Sequence, residues 1–210
     1  MYKGVFSDFE VVKQYMKIGS TTIEMGEGAE EYTEASCIGK SEEELEARVI
    51  TKKCRGAVQR EKVKGTGNGT LTESLHVPRD IYNKVYNMSR ETLKTGVYAY
   101  GQNSSHPEIS ITQLVLDEDG EEKLKAYPRA VLEEGPKRAI ENGQEEVPEL
   151  ELVFKLLPDD SGDCMYEALV KEIADESLKS SWLQNFTPDL VRNTTTSETT
   201  ETTENTAPTA

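Results

Sequence analysis

The clearest pattern of apolar and polar positions lies in residues 148–157. Leu150, Leu152, Phe154 and Leu156 alternate with Glu149, Glu151, Val153 and Lys155. That period of two predicts a strand with one buried face and one solvated, largely acidic face. Strands are also expected over 15–24, where Met16, Ile18 and Ile23 sit among Thr and Gly, and over 45–53, 56–63 and 70–77. In 70–77 the residues Leu71, Leu75 and Val77 share a face opposite Thr70, Thr72 and Ser74, and Glu73 falls on the apolar side. The run KGTGNGT (64–70) is expected to be a turn, with Asn68-Gly69 supplying the positive φ of a tight hairpin. A second hairpin is expected from 108–116 through the turn at 117–120 into 121–127. Strands at 129–134 and 137–141 follow, separated by Gly135-Pro136, and a turn is expected at Asn142-Gly143.

A longer period marks the helices. Residues 78–88 open on Pro78, suited to a first turn, and put Ile81, Val85 and Met88 on one stripe beside Tyr82 and Tyr86. Asp163 is placed to cap a helix over 164–174, with Met165, Leu169 and Ile173 on one face. Asp175 is placed to cap a third, holding Leu178 and Trp182. Many strands with few helices predict an α+β, mainly β fold: an antiparallel β-sandwich or barrel with a flanking helix. Residues 193–210 are nearly all Thr, Glu, Asn, Ser, Ala and Pro, a composition that buries no apolar area. The expectation is one domain over 1–192 and a disordered tail over 193–210.

Charge changes this picture. The 210 residues carry a formal net charge of −15, which argues against a surface that neutralises phosphates and fits one that must not hold DNA. Within that acidic background the charges are segregated. Residues 24–46 hold nine acids against Lys40, and residues 48–64 hold seven cations against Glu61. Adjacent blocks of opposite sign suit either two loops that neutralise each other or a surface that meets a copy or a partner in one orientation. No apolar stretch is long enough for a membrane span and residues 1–19 lack a signal layout, so a cytosol-like compartment without a membrane anchor is expected. Cys37, Cys54 and Cys164, odd in number and irregular in spacing, read as free thiols.

Catalytic chemistry finds little support. His76 and His106 stand apart from any nucleophile motif, and no Cys or His has zinc-ligand spacing. The Gly65–Gly69 stretch lacks the Lys-Ser/Thr that completes a phosphate cradle. Carboxylate pairs are common among 39 acids, but a single Trp and four Phe leave few sugar platforms for a glycosidase. Oxygen ligands at 117–120 lack the twelve-residue calcium-loop pattern, and a β-turn accounts for them. The expectation is no enzyme, no metal and no cofactor.

The second half carries a resemblance. The stretch VYAYGQNSSHPEISITQLVLDEDGEEKLKAYPRAVLEEGPKRAIENGQEEVPELELVFKLLPDDSGDCMYEAL (97–169) resembles the major tail tube proteins of long-tailed phages that infect Gram-positive bacteria. The order of parts is what matches: a helix such as 78–88, a YAYGQN-like segment, a strand ending in VLDEDG, KLKAYP, an ENG turn, an acidic strand ending in LPD, and a W…NFTP segment (182–188). The upstream KGTGNGTLTESLHVPRDIY (64–82) fits as well, so the resemblance spans roughly residues 45–191.

The resemblance implies a structural virion protein, made in the host bacterial cytoplasm. Such proteins form hexameric rings that stack into a hollow tube. Its partners would be copies of itself, a tape-measure protein, and distal-tail and tail-terminator proteins, while genomic DNA transits without specific binding. On that reading Glu149 and Glu151 are candidates for the lumen, where acids would not trap passing phosphates. The inter-ring contact is expected between the acidic block, with Glu42, Glu43 and Glu44, and the basic block, with Lys52, Lys53 and Arg55. Another tube component, such as a tail terminator or an injection-system inner tube, and a non-enzymatic surface-binding module are the alternatives.

Overall fold

The computed structural model describes residues 4, 6–19, 21–26 (backbone only), 38–140, 142–143 and 147–192. Eight strands carry it: β1 (Glu10–Ile18), β2 (Thr21–Gly26), β3 (Ile38–Cys54), β4 (Ala57–Leu75), β5 (Glu108–Leu116), β6 (Glu122–Leu132), β7 (Leu150–Leu156) and β8 (Tyr166–Leu169). Two α-helices, α1 (Arg79–Val85) and α2 (Glu176–Asn185), flank them. All pairings are antiparallel, in the order β2-β1-β5-β6-β7-β4-β3, with β8 added to β6. This is the mixed, mainly β architecture that the alternation implies.

The sheet curls until β3 and β4 lie over β1, β5 and β6. The bend is concentrated in β6. One edge of β6 pairs with β5 throughout, whereas the other pairs with β8 at residues 123–126 and with β7 at 130–132. Between Tyr127 and Ala130 the strand holds one residue more than β5 does opposite it. Pro128, which has no N–H to donate, sits in this bulge. The extra residue keeps Tyr127, Ala130 and Leu132 on one face, where they join Met16, Leu71, Leu75, Ile109, Ile111, Leu152, Phe154 and Leu156 in the main core. Helix α1 closes that core with Ile81, Tyr82, Val85 and Tyr86. On the opposite face of β5 and β6, α2 packs Trp182 and Phe186 over Leu124 and Ala126. Asp175 caps α2 as expected, its side chain accepting from the N–H groups of Ser177 and Leu178.

Several sequence expectations are corrected. Residues 15–24 are not one strand: β1 ends at Ile18 and reverses into β2. KGTGNGT is not a turn, because it runs inside the continuous nineteen-residue β4. There, two extra residues of β4 oppose β3 between the Leu45–Gly69 and Ala47–Gly65 pairs. The glycines serve this bulge rather than a reversal. Gly67 has φ +78°, and a Cβ at Gly69 would come within 2.7 Å of the Glu44 carbonyl oxygen. The actual reversal is at Arg55-Gly56, with φ values of 50° and 82°. Residues 129–132 belong to β6, and residues 137–140 are not strand. The segment expected as a helix at 164–174 is β8 followed by a short 3₁₀ turn, Val170–Glu172. Tyr166, Ala168 and Val170 alternate toward the α2 cluster, and the free edge of β6 supplies the hydrogen bonds that a helix would have made internally. The expected tail (193–210) and most of the acidic block (27–37) lie outside the described residues.

Candidate assembly interface

Beyond the bulge at its base, the β3–β4 hairpin leaves the body as a two-stranded ribbon. Only β3 and β4 pair with each other there, since β7 joins β4 at residues 69–75. Every residue from Ala47 to Gly65 is exposed, including Val49 (61%), Val58 (51%) and Val63 (66%). The pleat sorts the side chains into two faces. Arg48, Ile50 and Lys52 share one with Lys64, Lys62 and Arg60, their register partners. Ala47, Val49 and Thr51 share the other with Gly65, Val63 and Glu61, and Lys53 and Val58 extend it toward the tip. One face is therefore cationic and the other largely apolar.

The pleat divides the sequence-predicted cations. Lys52 lies on the cationic face opposite Arg60, Lys53 lies on the apolar face opposite Val58, and Arg55 occupies the first turn position. Arg48, Arg60, Lys62 and Lys64, counted in the basic block without assignment to a face, complete it. Their signal was in the chain: Arg48-x-Ile50-x-Lys52 and Arg60-x-Lys62-x-Lys64 each repeat at a period of two.

The predicted acids are divided in the same way. Glu42 and Glu44 lie on the outer face of β3. Register places Lys40, Ser74 and Glu151 in one row across β3, β4 and β7, and Glu44, Thr70 and Lys155 in another. Glu151 is exposed on that same outer face. Glu149, also exposed, precedes β7 and lays its carboxylate over Gly39, where any side chain would collide with it. The two lumen candidates and two of the inter-ring acids thus share one surface. Glu42 is bound by Lys40 at 2.5 Å, and that hydrogen bond holds its carboxyl below the ordinary value.

Glu43 points inward. It accepts from Tyr127 Oη at 2.5 Å and pairs with Lys125 at 3.3 Å. Lys125 also meets Asp8 at 3.1 Å, and Asp8 meets Lys123 at 2.5 Å, so the N-terminal segment is tied to β6. Burial alone would lower Lys125, but Glu43 and Asp8 outweigh it and raise its pKa. Burial would likewise raise Asp8, and the two lysines hold it below the usual carboxylate range. For Tyr127, burial and the neighbouring Glu43 act together and push the phenol upward.

Beside this network Glu73 is fully buried between the layers. Gln14 Nε2 donates to one of its oxygens and Gln113 Nε2 to the other, each at 2.9 Å. Burial pushes its pKa up to about 7 against the pull of these two donors. Placing Glu73 on the apolar face is therefore correct, and β1 and β5 supply the polar lining that accommodates it.

Among the described residues, no group of three or more His, Cys, Asp or Glu is placed to hold a metal ion. Asp117 Oδ1 accepts from the N–H groups of Asp119 and Glu121, which accounts for the acidic turn as backbone capping. His106 Nδ1 lies 2.8 Å from the Leu132 carbonyl oxygen and its Nε2 lies 3.0 Å from Tyr100 Oη, an arrangement that pins a loop to β6.

No protein-family model matches the chain. No curated protein matches it. Among solved structures it is similar to a chain of the anti-feeding prophage (AFP) baseplate, seen by cryo-electron microscopy with sixfold symmetrisation. The identity is 12% and the TM-score 0.43, over 81% of this chain and 99% of that one.

Proposed function

We propose that this chain is the repeating, non-enzymatic subunit of a hollow tube of the phage-tail kind. The resemblance of residues 45–191 to major tail tube proteins supports this reading, and one observation carries it: the β3–β4 ribbon. An isolated two-stranded hairpin is marginal in water. Here residues 47–65 expose both faces, and valines stand on one of them. β2 and β3 are also the two ends of the sheet path. Open edges invite pairing with another chain, and closing them around a ring removes that liability. Contacts that do not close on themselves then extend the ring into a stack.

In this proposal six copies make a ring, rings stack into the tail tube of a virion, and the bore encloses a tape-measure protein and later conducts DNA. Distal-tail and tail-terminator proteins bound its ends. Glu149 and Glu151 belong to the lumen, which is acidic so that phosphates slide past. Of the three cations expected at the inter-ring contact, Lys52 belongs to the ribbon face that meets the acidic block of the adjoining ring, whereas Lys53 and Arg55 stand off that face. Glu42, although paired with Lys40, and Glu44 are exposed to such a contact, whereas Glu43 is turned inward within its own subunit.

The test is excision of the ribbon, replacing residues 47–65 by Asn-Gly so that β3 and β4 turn at the edge of the body. The expected product melts cooperatively with a native circular-dichroism spectrum and forms no higher assembly by analytical ultracentrifugation. Assembly equal to that of the intact chain would contradict the proposal.

A further inference from the structure

The cationic face of the ribbon is costly where it stands. Arg48 is paired across the strands with Lys64, and Lys52 with Arg60. Like charges directly opposite each other destabilise a hairpin. Lys62, opposite Ile50, adds a fifth cation. None of the five has a salt bridge among the described residues. The acid on the ribbon, Glu61, is paired with Thr51 and lies on the opposite face.

The rest of the chain has the reverse character. Residues 47–65 hold seven of the 24 cations and one of the 39 acids, which leaves 17 cations against 38 acids elsewhere. The ribbon therefore opposes in sign the body that carries it, and beyond Arg48 and Lys64, which line a cleft with Glu46 and Asp163 at its base, it reaches away from that body.

We infer that the cationic face formed by Arg48, Lys52, Arg60, Lys62 and Lys64 is a docking surface for the acidic body of a second copy of this chain, and that the valine-bearing face is not. The inference rests on the self-assembly reading above and deepens it by choosing the face and its partner. Charge complementarity selects a second copy, because the chain supplies both halves. Seating acids over the paired cations offsets the repulsion between Arg48 and Lys64 and between Lys52 and Arg60. It also fixes orientation, since a contact made by charge on one face of a pleat is lost when the ribbon is turned over.

Sedimentation velocity on the full-length chain at about 50 mM and about 500 mM NaCl tests this, since exposed charge contacts weaken as the screening length shortens. Two double variants carry the same change in net charge: Arg60→Glu with Lys62→Glu on the cationic face, and Lys53→Glu with Arg55→Glu off it. The first places an acid opposite Lys52, so the ribbon keeps its fold while losing its docking charge. The expected result is self-association of the wild type that weakens with salt. The first pair should weaken it roughly tenfold or more, and the second by less than about threefold.

Equal effects of the two pairs overturn the choice of face, and a wild type that is monomeric at low salt overturns the choice of partner. Binding of a fluorescent DNA duplex that the first pair abolishes, with self-association intact, overturns it in favour of nucleic acid. Electron microscopy of the same samples separates this inference from the tube reading. Face-dependent association without rings or rods keeps the inference and ends the tube. Rods undiminished in the first pair keep the tube and end the inference.

Discussion

At the scale of single residues, Glu73 is the most consequential departure from the apolar pattern. It is fully buried with Gln14 and Gln113 as its hydrogen-bond partners, and its pKa is about 7 against an ordinary 4.5. Below about pH 4.5 it is protonated in both the folded and the unfolded chain and costs nothing through ionisation. Between 4.5 and 7 the unfolded chain releases this proton while the folded chain keeps it, so stability falls as pH rises. Above 7 both forms are ionised and the loss is constant. Glu73→Gln removes this dependence at nearly the same volume, although its new NH2 group requires one of the facing glutamine amides to turn and accept. Urea denaturation should show the variant near the wild type at pH 4.5 and about 2–3 kcal/mol more stable at pH 8. A gain that is the same at both pH values would contradict the assignment. That Glu73 shares the apolar face was legible from Leu71 and Leu75 around it. Its partners were not, because Gln14 and Gln113 lie 59 and 40 residues away and reach it only through the curl of the sheet.

At the scale of elements, legibility follows how local the deciding interactions are. β7 was readable because four apolar residues alternate without interruption, and α2 because Asp175 caps its own next turn. The segment 164–174 misled because Met165, Leu169 and Ile173 recur every fourth residue, while the choice of strand was made by a distant edge on β6. The glycine run at 65–69 misled for a related reason. Glycine marks close approach as well as reversal, and the body of β3 that approaches Gly69 is more than twenty residues earlier. The true turn hides behind Arg55, a residue poorly suited to φ +50°. Arg55→Asn suits the two-residue reversal better and should stabilise it by roughly 0.5–1 kcal/mol. Amide exchange in the ribbon should then slow by roughly threefold while the body stays unchanged. Faster exchange there would show that Arg55 is held by contacts beyond the turn.

At the scale of the whole molecule, the charge split visible in the sequence becomes a spatial one. The cations stand on a projecting ribbon, and the described acids Glu42, Glu44, Glu149 and Glu151 gather on one face of the body. What the chain could not show alone is the sorting within each block: Glu43 turned inward to Tyr127, and Lys53 turned away from Lys52. The proposed function has this surface covered by further copies of the chain, with a bore formed by their repetition. Negative-stain electron microscopy of the purified, concentrated full-length chain tests it most directly. Rings, or hollow rods of uniform width with a stain-filled centre, are expected. Separate globular particles at every concentration, with and without a tail-tip seed, would contradict it.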